Sequence, residues 1–163
     1  MVHHTMKTES LRRLVLSFAM FASLSPALAE PSRYASIRRD QAFLREGPSY
    51  AHRVLWVYHR KNYPLKILET FDAWRRVKDV DGTIGWMHHT QLSDARTIVF
   101  IGFTKTALHT KADANSKPVA FAEPGVVGKL KACEPRLCEV ETSGVEGWVD
   151  KKNIWGVEFG EVF

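Results

Sequence analysis

One short pattern occurs twice in this chain. Gly82-Thr83-Ile84-Gly85-Trp86-Met87 matches Gly144-Val145-Glu146-Gly147-Trp148-Val149 at an offset of 62 residues. Trp74-Arg75-Arg76-Val77 matches Leu137-Cys138-Glu139-Val140 at an offset of 63. Further upstream, Pro64-Leu65-Lys66-Ile67 answers Pro124-Gly125-Val126-Val127, and Ala42-Phe43-Leu44-Arg45 answers Thr106-Ala107-Leu108-His109. An ordered repeat of this period means one structural unit built twice. Units of about 60 residues lie close to the lower limit for an independent core, so the two are expected to pack on each other. The boundaries read as 35–94 and 97–157.

Each unit reads as short strands. Val54-Leu55-Trp56-Val57-Tyr58 is rich in β-branched and aromatic residues, the composition of strands. Asp81-Gly82 between two strand patterns is a hairpin signal, because glycine takes positive φ at little cost. Ahead of the repeat, Lys7, Arg12 and Arg13 precede an apolar run from Leu14 to Leu24, too short for a bilayer span. Ser25-Pro26 breaks it, and Ala27-Leu28-Ala29 supplies the small residues of an export cleavage site. Residues 1–29 therefore read as a helical signal peptide cut after Ala29, with Glu30 first in the exported chain. The formal net charge falls from +5 to +3 without it. The expected location is the periplasm or the exterior, with no membrane insertion once the signal is gone. No basic block is long enough to call for nucleic acid.

The series Leu44-Arg45, Gly47-Pro48, Trp74, Val77, Asp81-Gly82, Gly85-Trp86 resembles a bacterial SH3-like domain. The second unit is similar to the tandem partner found in exported proteobacterial members. There the series runs Leu108, Glu123-Pro124-Gly125-Val126-Val127, Cys133, Cys138, Gly147-Trp148-Val149, Trp155-Gly156-Val157. Phe43 replaces the usual asparagine, and His109, Lys111 and Ala112 replace Arg, Gly and Pro in the second unit. The resemblance implies an all-β chain: two small SH3-like, partly open antiparallel β-barrels in tandem. Gly85 and Gly147 stand where a strand bends or another backbone comes close. Trp74, Trp86 and Trp148 are expected in the structural core.

Motifs for catalysis are missing. No Gly-x-Ser-x-Gly, His-Glu-x-x-His or phosphate loop occurs. Cys133 and Cys138 stand five apart, a spacing that can close a hairpin as a disulfide in an oxidising compartment; reduced thiols are the alternative. Zinc would need further ligands nearby, so no metal and no cofactor is expected. His88 and His89 point to opposite faces if on a strand. Asp79 and Asp81 read as turn residues.

The first unit carries Phe43, Tyr50, Trp56, Tyr58, Tyr63, Phe71, Trp74 and Trp86, more large aromatics than a small barrel should bury. It also carries the whole net positive charge: residues 30–95 sum to +3 and residues 96–163 to zero. Aromatic and basic groups together suit anionic or amphipathic ligands. The candidate ligand-binding residues are Tyr50, Tyr58, Arg60, Lys61 and Tyr63, on a surface near a loop tip. The expected function is non-catalytic recognition of a peptidoglycan peptide or an envelope protein. An accessory or assembly subunit of an envelope enzyme complex is the alternative, and a standalone hydrolase ranks third, since the two units use the chain after the signal.

Overall fold

The computed structural model describes residue 1 and residues 33–162. The signal peptide assigned to residues 1–29, with its cleavage after Ala29, lies outside the described residues.

The first unit runs through β1 (Arg33–Ile37), β2 (Ala42–Arg45), β3 (Val54–Tyr58), β4 (Pro64–Phe71), β5 (Trp74–Lys78), β6 (Ile84–His88) and β7 (Leu92–Ser93). One turn of 3-10 helix, His89–Gln91, joins the last two. The second unit repeats the series as β8 (Thr97–Phe100), β9 (Thr106–His109), β10 (Pro118–Ala122), β11 (Val127–Cys133), β12 (Leu137–Thr142), β13 (Val145–Asp150) and β14 (Ile154–Trp155). Its 3-10 turn is Lys151–Asn153. The sheet orders are β3-β2-β6-β5-β4-β1-β7 and β10-β9-β13-β12-β11-β8-β14. One order becomes the other when seven is added to every label. The described residues are thus all-β, two seven-stranded antiparallel sheets of one topology.

Alternation builds each core. In β2, Ala42 and Leu44 are fully buried while Phe43 and Arg45 are half-buried. Ile37, Leu65, Val77 and Met87 complete the first core; Ile98, Leu108, Val140 and Val149 fill the second. Burying each such aliphatic side chain contributes about 1.5–3 kcal/mol relative to exposure. Gly85 and Gly147 sit where two strands close in. A Cβ on Gly85 would lie 2.6 Å from Leu44 Cγ and 2.8 Å from the Arg45 carbonyl oxygen. One on Gly147 would lie 2.8 Å from Leu108 Cβ.

The same alternation corrects two expectations about the core. Met87 and Val149 are fully buried, so their neighbours Trp86 and Trp148 face outward and are only half-buried. Trp86 meets the exposed ring of Phe71 edge-on at 6.4 Å. Trp74 is buried, but on that same outer side, where its ladder partner is His88. It lies outside the cluster that forms the first core.

One repeat pairing also shifts. The counterpart of Pro64 is Val127, not Pro124. The Ile37 amide donates to the Tyr63 carbonyl, and the Phe100 amide donates to that of Val126. The preceding residues, Asn62 and Gly125, both take positive φ, 63° and 84°.

The units are joined by specific contacts. Lys66 Nζ lies 2.8 Å from Glu158 Oε1, and the Tyr34 and Trp155 rings meet edge-on at 5.3 Å. Arg96, between the units, pairs with Glu161 at 2.7 Å and donates to the Gly156 carbonyl. Among the described residues no helix is long and apolar enough to cross a membrane.

Candidate functional site

β3 is an edge strand of its sheet. Its residues Trp56 and Tyr58 pair with the inward-facing Leu44 and Ala42, so both point to the same side. At Tyr58 that side is the core, and the ring is only 6% exposed. At Trp56 the strand has run past the closed part of the barrel, and the indole is 57% exposed. The gradient opens a cleft of about 420 Å³ lined by Trp56, Tyr58, Arg60, Tyr63, Asp79, Asp81 and Thr83. The size suits the end of a peptide or a small polar ligand.

The floor is a fixed polar network. Tyr58 Oη donates to Asp79 Oδ2 at 2.9 Å. Asp79 Oδ1 accepts the Thr83 amide at 2.7 Å, and the Asp79 amide donates to the Thr83 carbonyl at 3.1 Å. The Asp79 side chain therefore closes the β5–β6 turn and anchors the tyrosine at once. A buried carboxylate is retained when it is satisfied in this way. Burial and the Asp79 hydrogen bond push the Tyr58 hydroxyl well above its ordinary pKa. Tyr63 stacks on Tyr58 with ring centroids 6.0 Å apart. Its hydroxyl is pushed up to about 12, first by burial, then by the charges of Asp81 and Asp79, with Arg60 acting in the opposite direction.

The Arg60 guanidinium lies 5.6 Å from the centre of the Tyr63 ring. It also donates to the Gly125 carbonyl of the second unit. One wall of the cleft is thereby tied to the neighbouring unit.

The five residues selected from sequence separate. Tyr58, Arg60 and Tyr63 come together. Tyr58 is buried rather than part of a loop tip, because it is the last residue of β3 and sits opposite Ala42. Lys61 is exposed on the adjoining turn and does not line the cleft. Tyr50 stands apart. It packs edge-on against Trp74 at 5.0 Å and near His88 at 5.6 Å, with Arg45 over its ring at 5.4 Å. Arg45 Nη1 holds the β2–β3 loop by donating to the Tyr50 and His52 carbonyls, at 3.2 and 2.8 Å. His88 spends its Nδ1 on its own 3-10 turn, 2.8 Å from Thr90 Oγ1.

Residues absent from the sequence-derived site are Trp56, Asp79, Asp81 and Thr83. Trp56 was within reach, since a period of two places it beside Tyr58. The aspartates do belong to a turn, and the sequence carries no sign that the turn folds over the end of β3.

Elsewhere, Cys133 and Cys138 are joined in a disulfide across the β11–β12 hairpin, where the two residues are direct ladder partners. Among the described residues no group of three or more His, Cys, Asp or Glu side chains could hold a metal ion.

A family model described as bacterial SH3 domain matches residues 38–94 and 104–156. No curated protein matches the chain. The chain is similar in structure to NlpC2 from Trichomonas vaginalis, with a TM-score of 0.35, 8% identity, and 76% of this chain and 48% of that one covered. It is similar to NlpC1 from the same organism, with a TM-score of 0.35, 10% identity, and 85% and 50% covered. This chain therefore spans about half the length of those two proteins.

Proposed function

The chain belongs to the bacterial SH3 domain family, and on that premise we propose that it is a non-catalytic binding module of the cell envelope that recognises a peptidoglycan peptide or an envelope protein through its first unit. One observation carries the reading: the cleft of the first unit combines an exposed indole, a partly open phenol ring and exposed charged groups over a rigid buried floor. Exposed aromatic area on a fixed scaffold is the usual currency of recognition. The ionisable side chains on the floor are spent on structure, since both Asp79 oxygens and the Tyr58 hydroxyl are bonded to each other or to the turn. Export follows from the basic and apolar pattern of residues 7–29.

Retention on purified peptidoglycan sacculi tests this reading. The exported chain should sediment with sacculi, and Trp56→Ala should release most of it. Because Trp56 is largely exposed, its thermal midpoint should move little, within about 0.5 kcal/mol of the parent. Absence from the sacculus pellet, together with one stoichiometric protein co-purifying from envelope extract, would move the chain to the class of enzyme-complex subunits.

A further inference from the structure

The sequence balance suggested an anionic or amphipathic ligand, and the charges of the cleft itself favour a cationic group. Its charged lining is two carboxylates, Asp79 and Asp81, against one guanidinium, Arg60. The guanidinium is already engaged: it lies over Tyr63 and donates to the Gly125 carbonyl. Asp79 is buried and bonded through both oxygens. Asp81 is exposed on the rim, and among the described residues none is paired with it. The charge on offer to an incoming ligand is negative, and it stands in a cleft with an exposed indole face. The Tyr63 hydroxyl is pushed up first by burial and then by the charges of Asp81 and Asp79, with Arg60 acting in the opposite direction.

From this arrangement we infer that the cleft recognises an alkylammonium group presented by a peptide, with the Asp81 carboxylate as counter-ion and the Trp56 indole as the π face. The inference rests on the reading of the first unit as an envelope-peptide binder and names the group that such a peptide must carry. A cation over an aromatic ring gains most over tryptophan, and more when partly desolvated. A carboxylate beside the ring adds a charge-assisted hydrogen bond. The Tyr63 face is already covered by the planar guanidinium of Arg60. The remaining space suits a compact ammonium on an alkyl stem rather than a second planar cation. The second unit cannot do this. At the matching ladder positions it has Ala120 for Trp56, Ala122 for Tyr58 and Val126 for Tyr63.

The test uses the exported chain and two synthetic probes: the tripeptide N-acetyl-Ala-Lys-Ala-amide, and the same peptide acetylated on its lysine Nζ. Binding is followed by NMR at the Trp56 indole N–H and the Thr83 amide, with sacculus retention measured in parallel. The free-ammonium peptide should shift both signals. Acetylation should weaken its binding by roughly tenfold, the scale of one cation–π contact with its counter-ion. Asp81→Asn should weaken binding by a similar factor while leaving the spectrum of the rest of the chain in place. Equal binding of the two peptides, no effect of Asp81→Asn, or no shift at either signal would overturn the inference. If sacculi retain the chain in that case, the envelope-binding reading survives without it. If the ammonium peptide binds as expected and sacculi do not retain the chain, the inference holds and the envelope reading falls.

Discussion

The two units share a ladder and differ at one end of it. Where the first unit has Trp56 and Tyr58 opposite Leu44 and Ala42, the second has Ala120 and Ala122 opposite Leu108 and Thr106. Tyr63 is answered by Val126 through the same backbone hydrogen bond. The turn after β5 carries the buried Asp79, whereas the turn after β12 is a tight Ser143-Gly144 pair, both residues at positive φ. With no large ring to anchor, the second unit needs no buried carboxylate there. The outward-facing rungs differ as well. Around Trp86 the first unit has the exposed Phe71 ring and an Arg76–Glu69 pair at 3.5 Å; around Trp148 the second has no such ring pair among the described residues, and Lys131 pairs with Glu141 and Glu146, at 3.4 and 3.1 Å. One scaffold thus carries an aromatic-lined cleft at one end of the ladder in one copy and small aliphatic residues there in the other, and the fold alone assigns neither.

The largest effect that separates the copies should come from Tyr58→Ala. It removes a buried ring and strips Asp79 of a partner. The cost is expected at about 3–5 kcal/mol, whereas the second unit already carries Ala122 at that rung. Chemical denaturation of the variant measures it, and a midpoint equal to the parent's would mean that the Tyr58–Asp79 contact contributes nothing.

The disulfide sharpens the comparison from the other side. Cys133 and Cys138 occupy the rung that Thr70 and Arg75 hold in the first unit. Reduction, or Cys133→Ala with Cys138→Ala, should lower stability by about 2 kcal/mol on the loop-closure account. Hydrogen exchange should place the loss in β11 and β12 and leave β4 and β5 protected. Equal loosening of both hairpins would refute that assignment.

The smallest effect is one of pH. The Tyr63 hydroxyl ionises near 12 in the folded chain and near 10 in an exposed tyrosine. A raised value means that the folded state holds its proton longer. The associated stability is complete below pH 10 and is lost as pH rises toward 12. The Tyr34 and Tyr58 hydroxyls are raised as well, so Tyr63→Phe should make the loss of stability across that window less steep without abolishing it, and a profile identical to the parent's would exclude Tyr63 as a contributor.

Much of this was legible in the chain. The spacing of Gly85-Trp86 and Gly147-Trp148 gave away the duplication, and the apolar alternation around Leu44 and Leu108 marked the cores. The site was less legible, for physical reasons. Aromatic supply pointed to the unit that holds the cleft, but rings go to three different places here. Tyr58 goes inward, Trp56 to the cleft, and Tyr50 to the opposite, outer side over Trp74. That sorting depends on where an edge strand leaves the barrel, which no local pattern encodes. Net charge is a property of the unit and not of the cleft, for a similar reason. The excess of basic residues belongs to the whole first unit, whereas the cleft gathers two of its eight acidic residues.

The bond from Arg60 to the Gly125 carbonyl has a consequence for how this protein can be taken apart. The repeat in the sequence invites excision of the first unit as a self-sufficient reagent. Such a fragment would keep every side chain of the cleft and lose the acceptor that holds one of its walls. Duplication has made two copies of one scaffold, but a wall of the first copy's cleft is held from the second, so the piece that is repeated is smaller than the piece that keeps the cleft in shape.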